Sequence, residues 1–398
     1  MDSRMHNIQN QRPAMGFMKA SLAIGTLLAM VATPALSTPR EQAKRIHDRL
    51  AGVPAADTVL NQMESDVVAG RADLAAETAM NDSSFYNVTL KNWAAPWTNR
   101  DMSVFVELND YVATVAGMAR DDVPFNTVLS DDILYIGNGN LGLPAYSMGN
   151  NDHYRQMEQQ GVDMRTGLVR TTQSSVTSLP PAATAGVMTT RAAAEAFFIA
   201  GTNRAMFRFT LVNHLCHDME QVQDTSYAPD RIRQDVSRSP GGDSRVFLNG
   251  CIGCHSGMDP MAQAFAYYDF DETSASIQYT AGQVHPKYFN NDANFPEGFA
   301  TPDDAWENRW REGQNALLGW DPNLPGTGAG AKSLGQELGN SDAFAQCQVQ
   351  KVFKAVCLRD PVDDPDRTQI TTMVSNFRSS NYRLKTVFSD AAVYCMGD

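Results

Sequence analysis

The chain lacks the features that hold a protein in a membrane or bind it to nucleic acid. Apart from an apolar run at residues 22–35, no stretch of the 398 residues approaches the ~20 apolar residues that a membrane-spanning helix needs. Positive charge is also scarce, because 32 Lys and Arg stand against 45 Asp and Glu, a formal net charge of −13. An acidic body repels nucleic acid and favours basic partners. We therefore expect a soluble protein that does not bind nucleic acid.

Residues 1–37 have the composition of an export signal. Met18 and Lys19 begin a short positive segment, the apolar run follows, and small residues at Ala35 and Ser37 precede a predicted cleavage site. An uncleaved membrane anchor is the alternative, but the apolar run is too short to span a bilayer. The sequence therefore predicts a periplasmic or otherwise exported protein that is soluble after signal cleavage.

Cysteine is scarce, with 6 residues in the chain, and four of them predict two disulfides because an exported chain favours paired thiols. These four are Cys216, Cys347, Cys357 and Cys395. Cys347 and Cys357 share one predicted helix, where ten residues span ~15 Å, whereas a disulfide needs Cα atoms within ~7 Å. That pairing is therefore excluded. We favour Cys357 with Cys395, because the intervening helices would bring the tail back beside the helix end.

The other two cysteines form a C-x-x-C-H motif, Cys251-Ile252-Gly253-Cys254-His255. Two thiols at this spacing can add to the vinyl groups of haem, and the next histidine is then the proximal iron ligand. The motif occurs once, so it predicts one covalent haem c held by Cys251, Cys254 and His255. A zinc site, a redox dithiol and a plain disulfide are the alternatives. Zinc needs a second pair of ligands, which only His214 and His217 offer at suitable spacing.

A six-coordinate haem iron needs a second axial ligand, either a His nitrogen or a Met sulfur. Our candidate is His285, since thirty residues of chain separate it from His255. Met258 and Met261 are too close to His255 to reach around the ring. The other candidates are His153, His214, His217, Met373 and Met396.

Charged residues near the motif have structural and haem-contacting interpretations. Asp259 precedes Pro260 and is predicted to cap a helix that begins there. Asp269 is predicted to anchor the end of that helix or to lie near a haem propionate. Four arginines are either propionate partners or solvated surface residues. They are Arg231, Arg233, Arg238 and Arg245.

Apolar residues recur at helical spacing along most of the chain, so the sequence predicts a mainly α, multi-helix protein with a cytochrome c-like haem-binding segment and long irregular loops. Four regions are predicted after the signal peptide. They are an N-terminal helical region at 38–190, a haem-bearing region at 191–275, a loop-rich connection with one helix at 276–338, and a C-terminal helical domain at 339–398.

Some local predictions are specific enough to test. Thr38-Pro39 and Gly52 mark the start and stop of the first helix. Residues 80–100 are predicted to form a loop, residues 301–318 a helix, and the glycine-rich residues 324–333 a linker.

The run from Cys251 to Pro260, followed by Tyr268-Asp269, resembles the planctomycete-type cytochrome c domain. Residues 185–189 and Arg204-Ala205-Met206 are similar to that family's upstream segments. Residues 334–385 resemble its C-terminal helical companion domain, and residues 100–135 resemble the helical domain that usually precedes both. The family often has a longer proline-rich insert before the haem, which this chain lacks. The resemblance implies an exported haem protein and says little about a substrate.

Three functions agree with one haem in a helical shell. The first is electron transfer with a redox partner protein that offers a basic docking face to this acidic chain. The second is a haem enzyme of the peroxidase or oxidase type, with an open position at the iron. The third is a haem-bearing accessory or scaffold subunit, since the chain is several times larger than a minimal cytochrome. We favour electron transfer, because one C-x-x-C-H motif leaves no second haem.

Overall fold

A computed structural model gives the fold of residues 37–199, 201–234, 244–289 and 295–397. Within these ranges the chain is mainly helical and its strands form small sheets, which confirms the predicted mainly α class. The predicted signal peptide lies outside the described residues except for Ser37. Among the described helices, none combines the length and the apolar character that crossing a bilayer requires.

The first helix is closed at both ends by local signals. Helix α1 (Pro39–Ala51) begins with a capping box, in which Thr38 and Glu41 bond to each other's backbone, and it ends at Gly52 with a φ of 73°. The predicted start and stop are confirmed. The helices that follow in this half are α2 (Asp57–Val68), α3 (Ala72–Met80), α4 (Lys91–Ala94), α5 (Asp110–Arg120), α6 (Asp152–Gln159), α7 (Met164–Gly167) and α8 (Gln173–Val176).

The second half begins with two short helices that are separated by the residues around Thr202. Its helices are α9 (Arg191–Phe197), α10 (Arg204–Thr210), α11 (Ser244–Gly250), α12 (Ile252–Ala262), α13 (Gly330–Gly339), α14 (Asp342–Cys357), α15 (Asp364–Ser379) and α16 (Leu384–Tyr394). The last three pack against one another.

The described strands form three separate antiparallel pairs. They are β1 (Leu134–Gly137) with β2 (Leu168–Thr171), β3 (Tyr268–Asp271) with β4 (Ser276–Tyr279), and β5 (Ala305–Glu307) with β6 (Thr327–Ala329). In the second pair Tyr268 lies opposite Tyr279. This hairpin follows α12 closely in the chain.

A single large hydrophobic cluster runs from Ala43 in α1 to Ala392 in α16. The chain from Ser37 onward accordingly forms one compact unit. The four regions predicted after the signal peptide therefore contribute to a shared core, and their boundaries stay predictions.

Three local predictions are wrong. Residues 80–100 form a π-helical turn at Phe85–Leu90, then α4, then a 3₁₀ turn at Ala95–Thr98, because Trp93 and Trp97 are buried in the core. Residues 301–318 contain β5 and 3₁₀ turns instead of a helix, and the predicted linker contains β6 and the start of α13. Buried contacts with distant residues determine the secondary structure of these segments, and local sequence propensity does not reflect such contacts.

Both predicted disulfides are confirmed. Cys216 bonds to Cys347 with Cα atoms 5.2 Å apart, and Cys357 bonds to Cys395 at 5.5 Å. The first joins the segment that follows α10 to α14, and the second joins the end of α14 to the end of α16. The excluded Cys347–Cys357 pairing does not occur.

Candidate functional site

The C-x-x-C-H motif forms the first turn of α12. The backbone N–H groups of Cys254 and His255 both donate to the carbonyl of Cys251, each at 3.2 Å. Residues three and four apart on a helix share a face, so the two thiols and the imidazole start from one side of this turn. Both thiols are free and partly exposed.

The prediction that a helix begins at Pro260 with Asp259 as its cap is wrong. Helix α12 starts at Ile252 and continues through Pro260. Proline has no N–H to donate to the carbonyl four residues earlier, so a helix interior tolerates it only when other contacts compensate. Asp259 instead lies four residues after His255 on the same helical face and takes part in the site.

His255 is held by a buried carboxylate. Its Nδ1 lies 3.1 Å from Oδ1 of Asp259, which is fully buried. A carboxylate accepts a hydrogen bond, so Nδ1 carries a proton, and in the neutral imidazole Nε2 then keeps its lone pair. In the described part of the chain, Nε2 has no hydrogen-bond partner. Metal-binding histidines commonly have this arrangement, with one nitrogen donating to a carboxylate and the other binding the metal.

Asp259 is itself held by an arginine from α10. Arg204 donates to its two carboxylate oxygens through Nε at 2.7 Å and Nη2 at 3.0 Å. Burial alone would raise the pKa of Asp259, but the charges of Arg204 and His255 and their hydrogen bonds outweigh burial. The pKa therefore lies well below its usual range, and Asp259 remains an ionised acceptor for His255.

Arg233 supports the same helix from inside the protein. Its guanidinium donates to the carbonyl of Asp259 at 3.1 Å and to the carbonyl of Thr202 at 3.3 Å, and it lies 4.9 Å from the ring centroid of Tyr288. Only 1% of Arg233 is exposed, so the surface interpretation is wrong for this residue. Its contacts make it a structural support for the turn that carries Asp259.

The other arginines that we considered as propionate partners have different surroundings from Arg233. Arg231 lies 3.3 Å from Oε1 of Gln263 and stacks on the ring of Phe299 with its guanidinium carbon 4.5 Å from the centroid. Arg238 lies outside the described residues. For Arg231 and Arg245 a propionate contact stays a prediction.

The segment before the motif lies along one side of α12. The thiol of Cys254 is 3.6 Å from the carbonyl of Met219, and the backbone N–H of Asp224 donates to the carbonyl of Gly253 at 2.7 Å. Burial, followed by the nearby charge of Glu220, raises the pKa of the Cys254 thiol. The thiol therefore remains protonated at neutral pH.

A small apolar cluster covers the start of the helix. Ile232 and Phe247 form its buried centre, and Cys251, Ile252 and Phe295 pack against them. The ring of Phe247 also contacts the imidazole of His255, with centroids 5.1 Å apart. The motif is therefore bordered by apolar side chains that are separate from the main core.

The axial candidate His285 already uses both ring nitrogens. Nδ1 accepts a weak hydrogen bond from the backbone of Lys287 at 3.4 Å, and Nε2 lies 3.3 Å from the carboxylate of Asp269. Burial is the main cause that lowers the pKa of His285. Asp269 also pairs with Lys287 at 2.5 Å and lies in β3, so it does not anchor the end of α12. Iron ligation by His285 stays a prediction, and it requires Nε2 to leave Asp269.

The other three histidine candidates for the iron differ in whether a ring nitrogen is left without a hydrogen bond. The ring nitrogens of His153 bond to the backbones of Gly137 and Pro144 inside the protein, and Nε2 of His214 bonds to the buried hydroxyl of Tyr111. His217 is partly exposed and bonds through Nδ1 to the carbonyl of Leu215. Its Nε2 has no partner among the residues that the structure describes. Of these three, His217 therefore has the nitrogen most accessible to a ligand.

The methionine candidates also differ. Met373 is fully buried in α15, and Met396 is partly exposed near the end of the chain.

The sequence located the thiols and the imidazole but missed the residues that hold them. Arg204 lies 55 positions before Asp259, and no local pattern joins the two. The spacing of Asp259 from His255 was a usable signal, since residues four apart meet on a helix. Within the described ranges, no group of three or more His, Cys, Asp and Glu side chains is placed to hold a metal ion.

Comparison with protein-family models, with curated proteins and with solved structures finds no match to this chain.

Proposed function

We propose that this chain is an exported c-type cytochrome, similar to the planctomycete-type family, which carries one covalent haem and transfers electrons to or from a partner protein. The observation that carries the proposal is the first turn of α12, where two free thiols accompany an imidazole held by a buried carboxylate. These residues fit haem attachment, because it uses two thiols at this spacing and one imidazole nitrogen.

Each residue of the turn has a definite role in this proposal. Cys251 and Cys254 hold the porphyrin through thioether bonds, and His255 provides Nε2 to the iron. Asp259 keeps the proton on Nδ1, fixes the ring orientation and makes Nε2 a stronger base. Arg204 keeps Asp259 ionised and in place. When bound, haem supplies a one-electron redox centre.

The charge of the chain supports a basic redox partner. A formal net charge of −13 steers basic surfaces toward the protein and speeds encounters at low ionic strength. Electron-transfer complexes of this kind bury small interfaces and dissociate readily. Export belongs to the same proposal, because haem is attached to this motif outside the cytoplasm in bacteria.

The test is haem staining of the exported protein on a denaturing gel. Wild type should stain, and Cys251→Ser with Cys254→Ser should abolish the stain while the protein is still exported. The matched control, Cys357→Ser with Cys395→Ser, also removes two cysteines and should keep the stain. Retained stain in the Cys251/Cys254 variant would overturn the proposal.

The spectrum of the reduced wild-type protein separates electron transfer from the enzyme alternative. Carbon monoxide binds only to haem iron with an open or easily opened position. A spectrum that carbon monoxide leaves unchanged supports electron transfer. Ready binding favours a haem enzyme.

A further inference from the structure

A second site lies on the α1 and α14 side of the molecule. Between α1, the turns at 85–98 and the last turns of α14 there is a cavity of about 880 Å³, which we call the Trp groove after Trp93 and Trp97 in its lining. A cavity of ~300–1,000 Å³ is the usual size for a small-molecule site. None of the residues assigned to haem attachment lines it.

The Trp groove has an apolar lining that continues onto its rim. Trp93 and Trp97 contact each other edge to face, with centroids 4.4 Å apart. At the rim, Val88, Met102 and Leu358 are exposed by 37%, 46% and 73%. Trp93 and Trp97 themselves are only 9% and 2% exposed, so most of the apolar surface that a ligand would meet comes from the aliphatic rim. Such a lining favours a ligand with an apolar body.

The charged part of the lining is unbalanced toward positive. Arg45, Arg49, Lys351 and Lys354 line the groove with a single acid, Asp48. Oδ2 of Asp48 accepts a hydrogen bond from Lys44, while its Oδ1 has no hydrogen-bond partner in the described part of the chain. Lys354 pairs with Asp360 at 3.0 Å, so the excess positive charge comes from the other three cations. Such an excess of positive charge is unusual on a chain that carries −13 overall.

Two of these cations have no counter-ion within the described ranges. Arg49 donates through Nη1 to the carbonyl of Val356 at 3.0 Å. Lys351 donates to the carbonyl of Asn213, and its Nζ lies 4.4 Å from the ring centroid of Trp97. Burial lowers the pKa of Lys351 to about 7. A desolvated cation without a counter-ion is costly, and an anion from a ligand would reduce that cost.

We propose that the Trp groove binds a small free amphipathic molecule, with an apolar body against Trp93 and Trp97 and one carboxylate facing Lys351 and Arg49. A medium-chain fatty carboxylate has this chemistry. This proposal is independent of haem attachment and goes beyond electron transfer.

Direct titration of the full-length exported protein tests the proposal. Decanoate should bind and change tryptophan fluorescence, while decyltrimethylammonium, with the same chain length and the opposite charge, should bind at least tenfold more weakly. Isothermal titration would give both affinities. Equal affinity for the two probes would overturn the assigned charge preference, and no binding of decanoate would overturn the site.

Three variants locate the binding. Lys351→Met should weaken decanoate binding about tenfold, the loss expected for one charge-assisted contact. Leu358→Glu places a negative charge on the exposed rim, where folding is little affected, and should also weaken decanoate binding. Lys332→Met removes a partly exposed lysine outside the groove and should leave the affinity unchanged. Wild-type affinity in both groove variants would contradict the proposal.

Discussion

At the residue scale, two basic side chains have opposite surroundings. Arg204 faces the carboxylate of Asp259, so its charge is matched inside the protein. Lys351 faces the ring of Trp97 and the carbonyl of Asn213. Arg49 and Lys354 line the same groove. The pKa of the nearby His214 imidazole is also lowered, mainly by burial and then by the charge of Lys351. Keeping Lys351 charged therefore costs folding free energy.

This cost predicts a pH dependence of stability. The pKa of Lys351 is about 7 in the folded protein and 10.5 without burial. Between these values the unfolded chain binds more protons, so this lysine makes the free energy of unfolding rise with pH. The full shift corresponds to about 5 kcal/mol, and the partial exposure of Lys351 reduces the expected rise to about 1–3 kcal/mol. Lys351→Met should be more stable than wild type below about pH 7 and lose that advantage toward about pH 10.

Urea unfolding at several pH values checks this prediction. Taking the difference between wild type and variant at each pH removes the contribution of other titrating groups. Lys332→Met serves as the control and should follow the wild-type curve. If the free energies of unfolding of Lys351→Met and wild type differed by the same amount at every pH, the pKa of Lys351 would not be shifted in the folded protein.

At the scale of elements, α10 and α12 are joined by the ion pair of Arg204 and Asp259, and His255 hydrogen-bonds to the same carboxylate. Asp259→Asn preserves the shape but removes the buried negative charge that faces Arg204 and His255. The free energy of unfolding should fall by about 2–4 kcal/mol. If Cys251 and Cys254 carry haem as we propose, its reduction potential should rise, because His255 becomes a weaker base.

Two measurements separate these effects, urea unfolding for stability and redox titration for the potential. Asp271→Asn is the control, since Asp271 is the partly exposed last residue of β3 and its hydrogen bonds stay within the hairpin turn that follows. It should change stability by less than about 0.5 kcal/mol and leave the potential unchanged. A stability loss in Asp259→Asn with an unchanged potential would mean that Asp259 acts only as a structural support.

The elements also show why the sequence predicted some features and missed others. Helix α1 was predictable, because Thr38-Pro39 and Gly52 are local start and stop signals. The Cys357–Cys395 disulfide was predictable, because the intervening helices bring the tail back beside the end of α14. The start of α12 was missed, because Pro260 looked like a first helical residue and instead lies inside the helix. The ion pair of Arg204 with Asp259 could not be predicted from the sequence, because it depends on a tertiary contact.

At the scale of the whole molecule, one shared core carries both the turn for which we propose haem attachment and the Trp groove. The motif turn of α12 lies beside its own small apolar cluster, and the Trp groove is lined partly by α1 and α14. The Cys216–Cys347 disulfide ties α14 to the segment that leads toward Met219 and Cys254. The chain has a formal net charge of −13, whereas the lining of the Trp groove contains four basic residues and one acid.

The central claim is that Cys251 and Cys254 carry one covalent haem, and peptide mass mapping of the exported protein tests it most directly. The unreduced protein is denatured, treated with an alkylating reagent and digested. The account predicts that the peptide containing residues 251–255 carries the mass of one haem and no alkyl group. Two alkylated cysteines, or a disulfide between Cys251 and Cys254, on that peptide would contradict it.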